Sequence, residues 1–88
     1  MRLDKFLKVS RLIKRRTLAK EISDQGRIAI NGQTAKASST VKVGDQLEVR
    51  FGNKIVLVQV EKLEENAKKE NAVNMYTILR ETRVDQTE

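Results

Sequence analysis

Residues 2–32 read RLDKFLKVSRLIKRRTLAKEISDQGRIAING, and this stretch decides the fold that the sequence predicts. Leu3, Phe6 and Leu7 recur at helical spacing, with Ser10 next on the same stripe. Lys5 and Lys8 fall on the opposite face, so a short amphipathic helix is expected from Leu3 to Val9 or Ser10. Asp4 stands in its first turn, where the positive helix end favours an acid. Arg11 to Arg16 is a basic connection with Leu12 and Ile13 turned inward. A second helix is expected from Leu18 to Asp24 or Gln25, capped by Thr17. Lys20, three residues after Thr17, leaves the capping box incomplete. Leu18, Ala19 and Ile22 make the core stripe of this helix, and Gly26 is placed to end it at positive φ. Arg27 to Ile30 then alternates polar and apolar residues, with Ile28 and Ile30 inward. Asn31-Gly32 between two short extended runs is a strong hairpin signal of type I′. The turn accounts for Gly32 fully; whether Asn31 also touches a ligand stays open at this level.

The chain beyond this stretch reads as support. Gln33 to Ala35 resumes the hairpin, and Ala37 to Thr40 is a polar connection. Val41 and Val43 precede a turn at Gly44-Asp45. Leu47, Val49 and Phe51 alternate with Glu48 and Arg50, the pattern of a half-buried strand. Gly52-Asn53 turns the chain into Ile55 to Val60, a nearly continuous apolar strand expected to be covered on much of both faces. Glu64 to Asn71 is strongly charged. Ala72, Met75, Tyr76 and Leu79 have the spacing of a short helix, while Val73, Thr77 and Ile78 keep a strand open. Thr82 to Glu88 is expected to fray. The fold class is α+β: two short N-terminal helices packed on a small, mostly antiparallel sheet, with a short C-terminal segment that the spacing allows to be helical.

Composition removes several kinds of function. A chain of 88 residues makes one domain with a thin core, which disfavours a deep catalytic cavity. Cysteine and histidine are absent, so disulfides, thiol chemistry, Cys/His zinc sites and an imidazole base are excluded. Carboxylate chemistry needs only Asp or Glu, but no acid pair here has an enclosing pocket that the sequence reveals. The expectation is a protein without catalysis, metal or cofactor. No apolar run approaches the roughly 20 residues of a membrane span. The first residues lack the apolar region of a signal peptide, so a cytoplasmic location is expected.

The net charge of +6 is unevenly placed. Residues 1–36 carry ten Lys/Arg against three acids, whereas residues 37–88 carry eight against nine. Two short helices and a hairpin bring Arg2, Lys5, Lys8, Arg11, Arg15, Arg16, Lys20 and Arg27 within one domain's width, and the apolar stripes occupy the other side. A surplus confined to one segment points to a polyanion. Arginines can grip phosphates in bidentate fashion, and lysines act as point charges. The segment holds no Tyr or Trp, so an aromatic stacking platform is not expected, and recognition should lean on RNA shape and backbone. Charge alone leaves DNA open, but Leu18–Asp24 offers a helix-turn-helix little reach for a recognition helix.

The segments RLDKFL (2–7), KRRTLAKE (14–21), QGRIAINGQ (25–33) and VKVGDQLEV (41–49), in that order, resemble the ribosomal-protein-S-four RNA-binding domain, or alpha-L motif. The resemblance covers about residues 1–49, and it is most similar to the small heat-shock and ribosome quality control members of the family. It implies binding to the large ribosomal subunit after a stalled ribosome splits, with contacts to large-subunit rRNA and peptidyl-tRNA. It further implies that the tRNA is held in the P site while a partner, the RqcH protein, recruits alanyl-tRNA for C-terminal alanine tailing. Arg2 matches the leading Arg of the family, and Arg16 the Arg before the second helix that is usually aimed at RNA. Lys5, Arg11, Arg15, Thr17 and Lys20 surround it. Ala37 stands where the family often has Pro, which is expected to loosen that connection. The expected organisation is a monomer with residues 1–63 as the RNA-binding domain and residues 64–88 as a charged, partly disordered segment. Subunit assembly, heat-shock rescue of large subunits, and an adaptor that binds protein through its acidic half remain as alternatives.

Overall fold

A computed structural model describes residues 1–64 and 74–83. The elements run α1 (Leu3–Val9), α2 (Arg16–Asp24), β1 (Ile28–Ile30), β2 (Gln33–Thr34), β3 (Gln46–Phe51), β4 (Lys54–Val60) and β5 (Tyr76–Arg83). The strands form one antiparallel sheet in the order β2-β1-β3-β4-β5. The helices cover one face. Leu3, Phe6, Leu7, Ile13 and Ala19 meet Ile28, Leu47, Val49, Val56, Val58 and Val60 there, and all are buried. The expected α+β class and both N-terminal helices are present.

Local chemistry explains most of the boundaries. Gly26 has φ +78 and ends α2, as its position predicts. Asn31 and Gly32 both have positive φ, which gives the tight hairpin turn. Asn31 proves structural: its amide nitrogen donates to Asp45 Oδ1 at 3.1 Å, and its oxygen accepts the Gln46 N–H at 2.9 Å. Ala37 is fixed rather than loose. Its N–H donates to Asp24 Oδ1 at 3.3 Å, and its carbonyl accepts the Asp4 N–H at 3.2 Å. A proline there would forfeit the first of these bonds.

Three expectations change in α2 and β4. Helix α2 begins at Arg16, with Arg15 as N-cap and no side-chain cap, so Thr17 lies inside the first turn. The buried stripe of α2 is Ala19 and Ser23 with Ile22 partly covered, and it leaves Leu18 46% exposed. Ser23 is tolerated there because its hydroxyl donates to the Ala19 carbonyl at 2.7 Å. In β4, Val56, Val58 and Val60 are buried, but Ile55, Leu57 and Gln59 are only half-covered. The helices occupy one face of an antiparallel sheet, and among the described residues nothing comparable covers the other.

Of the two conformations that the sequence leaves open for the C-terminal segment, Tyr76–Arg83 takes the strand. β5 pairs with β4 from Val60↔Tyr76 to Lys54↔Arg83, with a bulge between Leu57 and Val58. Met75 is fully buried just before it, and its carbonyl accepts the Glu61 and Lys62 N–H groups at 2.8 and 3.2 Å. The open edge of β4 and the β-branched Thr77 and Ile78 outweigh the helical spacing. Thr82 and Arg83, expected to fray, are paired in this strand. Ala72 and Val73, residues 84–88 and most of the Glu64–Asn71 run lie outside the described residues.

Candidate nucleic-acid interface

The site is built where the two helices begin. Helix α1 starts after Arg2, whose backbone is extended and bridged to Thr40. The first N–H groups of α1 are satisfied by main-chain carbonyls: Leu3 N–H by Ser39 at 2.7 Å and Asp4 N–H by Ala37 at 3.2 Å. Arg2 is thereby fixed at the backbone on both sides, since the Met1 carbonyl also accepts the Val41 N–H at 2.8 Å.

Asp4 organises the arginines. Its carboxylate is buried, with the side chain 4% exposed, and it accepts the Lys5 N–H at 2.8 Å. Arg2 Nε donates to Asp4 Oδ1 at 3.2 Å and Arg2 Nη2 donates to Oδ2 at 3.4 Å. From α2, Arg16 Nε lies 3.7 Å from Asp4 Oδ2. The Arg2 and Arg16 side chains are nonetheless 53% and 57% exposed, so each guanidinium keeps donors for a ligand. One buried acid therefore holds two arginines from two helices side by side. Two such groups suit adjacent phosphate oxygens. The sequence assigned Asp4 only to the helix dipole. The missing signal was the approach of Arg16, which belongs to the packing of α2 on α1.

The remaining predicted residues divide. Arg15 and Thr17 are exposed beside Arg16 at the start of α2, where no side chain caps the helix and no acid stands in the first turn. That end suits an anion as well. Lys20 follows Arg16 by one helical turn and is exposed. Lys5 is half-buried next to Asp4, and Lys8 is exposed in the last turn of α1. Arg11 and Arg27 stand apart. Arg11 lines a groove with Leu12, Lys54, Val56, Tyr76 and Ile78. Arg27 lies past the far end of α2, in a cleft with Arg50 that the sequence reading did not foresee. Among the described residues, no group of three His, Cys, Asp or Glu could hold a metal ion. No described helix is long and apolar enough to cross a membrane.

Two helices on an antiparallel sheet, with paired arginines at the helix starts, define a small RNA-binding module. The S4 domain model matches residues 1–47, and the chain belongs to the S4 domain family. Among its relatives is the RQC P-site tRNA stabilizing factor of Bacillus subtilis, 71% identical over 84 residues, covering 96% of this chain and 98% of that protein. The protein of the same name from Listeria innocua is 66% identical over 87 residues, covering 99% and 95%. Among solved structures, trimeric Heat Shock Protein 15 from Vibrio cholerae superposes with a TM-score of 0.81 at 33% identity, over 89% of this chain and 80% of that one.

Proposed function

We propose that this chain is a ribosome quality control factor that binds obstructed large ribosomal subunits through their rRNA and the peptidyl-tRNA. In this reading it steadies the tRNA in the P site while RqcH extends the stalled chain with alanine, and it works in the cytoplasm as a monomer without catalysis. Residues 1–63 carry the RNA contacts. The observation that carries the reading is the Arg2–Asp4–Arg16 arrangement, two exposed guanidiniums held by one buried acid. The relatives named for P-site tRNA stabilisation, matched over nearly their whole length, support the choice of tRNA and of quality control. The likeness to Heat Shock Protein 15 supports a second reading, rescue of large subunits under heat stress.

Gradient co-sedimentation tests it. Tagged wild type and Arg16→Ala are run with lysate from cells carrying stalled nascent chains. Wild type should enter the large-subunit fraction together with peptidyl-tRNA, and Arg16→Ala should leave it. Wild type on immature subunits without peptidyl-tRNA would point to assembly instead. Absence from all ribosomal fractions would sink both readings. Loss of alanine tails on deletion of the protein, restored by wild type only, separates tailing from heat-shock rescue.

A further inference from the structure

Arg27 and Arg50 are direct cross-strand neighbours. The β1–β3 register pairs Ile28 with Val49, and the next step outward sets Arg27 opposite Arg50, whose N–H donates to the Arg27 carbonyl at 3.0 Å. Like charges directly opposite on a sheet repel. Here nothing cancels them: both side chains are exposed, and among the described residues neither has an acid within 4.0 Å. Glu48, two residues along β3, forms no such pair with either. The two arginines border a cleft of about 550 Å³ completed by Gln25, Gly26, Gly52 and Asn53. Among the described residues its walls hold amide groups and main chain beside the two arginines, and no carboxylate.

The cleft is rigidly framed. The Arg27 N–H donates to the Ile22 carbonyl at 3.2 Å, and Gly26 N–H to that of Ser23 at 3.0 Å, so the end of α2 anchors one wall. The other wall is the β3–β4 turn. A fold that sets two guanidiniums side by side on one polar cleft, with no acid partner among the described residues, is short of one anion. We infer that Arg27 and Arg50 form a second phosphate site, which takes a backbone phosphodiester of the bound RNA. It lies past the opposite end of α2 from Arg16, a helix of nine residues and so about 13 Å long. The protein then grips RNA at two separated points, one at each end of α2. This inference rests on the reading of the chain as a large-subunit RNA binder.

Two measurements on the full chain test it. The first is thermal unfolding in inorganic phosphate against chloride at matched ionic strength, for wild type, Arg50→Gln, Arg27→Gln and Lys54→Gln. Lys54 is the control, since Glu81 already pairs with it at 3.2 Å. Phosphate should raise the Tm of wild type and Lys54→Gln, and raise it less in the two arginine variants. In chloride, Arg50→Gln should melt about 2 °C higher than wild type, because the repulsion is gone. The second is binding to purified large subunits carrying peptidyl-tRNA, as a function of salt. Arg50→Gln should weaken binding ~3–10-fold and reduce the salt slope by about one unit. An unchanged phosphate response in Arg50→Gln overturns the site. A reduced response with unchanged subunit binding and slope overturns RNA as its ligand and leaves a free-anion site. Failure of wild type to bind the subunits would instead strike the proposed function, and the phosphate melts would still report on the cleft.

Discussion

The two ends of α2 treat positive charge differently. At its start, Arg2 and Arg16 share the buried carboxylate of Asp4. Past its end, Arg27 and Arg50 lie opposite one another on neighbouring strands, with no acid partner among the described residues. The first arrangement is oriented before any ligand arrives, since one acid fixes two side chains that would otherwise sample many rotamers. The second is fixed only at the backbone, and an anion would have to supply the missing charge. A count of lysines and arginines along the chain cannot separate these cases. The partner of each guanidinium does.

The largest effect should come from the oriented end. Arg16→Ala removes a charged donor from the proposed phosphate contact and should weaken large-subunit binding by ~10–100-fold, with the helical signal in circular dichroism retained. Arg16→Glu is a poorer probe, because the new carboxylate would face Asp4 and would disturb the fold. Intact subunit binding by Arg16→Ala would move the RNA surface away from α2.

Asp4→Asn makes the comparison sharper because two effects oppose. Net charge rises by one, and electrostatics alone would tighten binding to RNA. If Asp4 acts by holding Arg2 and Arg16, binding should instead weaken, by ~3–10-fold, as ordering of the two side chains is lost. The salt slope should change little, since both arginines remain available to the phosphates. Tighter binding would show that the acid merely lowers the local potential. Melting of the same variant, where a modest fall in Tm is expected, reports how far the pairs also serve the fold.

Arg11 supplies a third situation, a cation placed by backbone strain. Its φ is +65, and its N–H donates to the Lys8 carbonyl at 3.1 Å, which makes it the left-handed residue that closes α1. Glycine suits that position better. Arg11→Gly should stabilise the protein by up to about 1 kcal/mol, net of the freedom that glycine adds to the unfolded chain. That corresponds to a rise in Tm of at most ~8 °C in thermal unfolding. A lower Tm would mean that the Arg11 side chain holds the groove beside Tyr76 together.

Much of this fold is local and was therefore readable. The stripe Leu3, Phe6, Leu7 and the punctuation at Gly26 and Asn31-Gly32 each act within a few residues, and each lies where the pattern places it. β5 is different. Its spacing allows a helix and its β-branched Thr77 and Ile78 allow a strand, and the open edge of β4, which no local window contains, decides between them. The site divides the same way. Arg2 and Arg16 were visible as charges and through the family motif. That Asp4 joins them depends on how two helices pack, and that Arg50 meets Arg27 depends on the register of strands some twenty residues apart. Arg50 also stood in the half of the chain where acids outnumber bases, which hid it from a charge count.

The smallest effect tests whether pairing state governs the sheet end as well. Lys54 lies next to Asn53, a wall of the Arg27–Arg50 cleft, and is paired with Glu81 at 3.2 Å with both side chains about half exposed. An exposed pair of this kind contributes little to stability, so Glu81→Gln should lower it by less than ~0.5 kcal/mol. The same change frees one cation beside two that are already free. If unpartnered charge is what recruits RNA at this end, Glu81→Gln should tighten subunit binding about twofold and steepen the salt slope by up to ~1 unit. The gain should vanish in the Glu81→Gln, Arg50→Gln double variant, where the cleft has lost its central pair. Tighter binding that survives in the double variant would show a general effect of net charge, and the sheet end would then differ from the helix start only in lacking an acid.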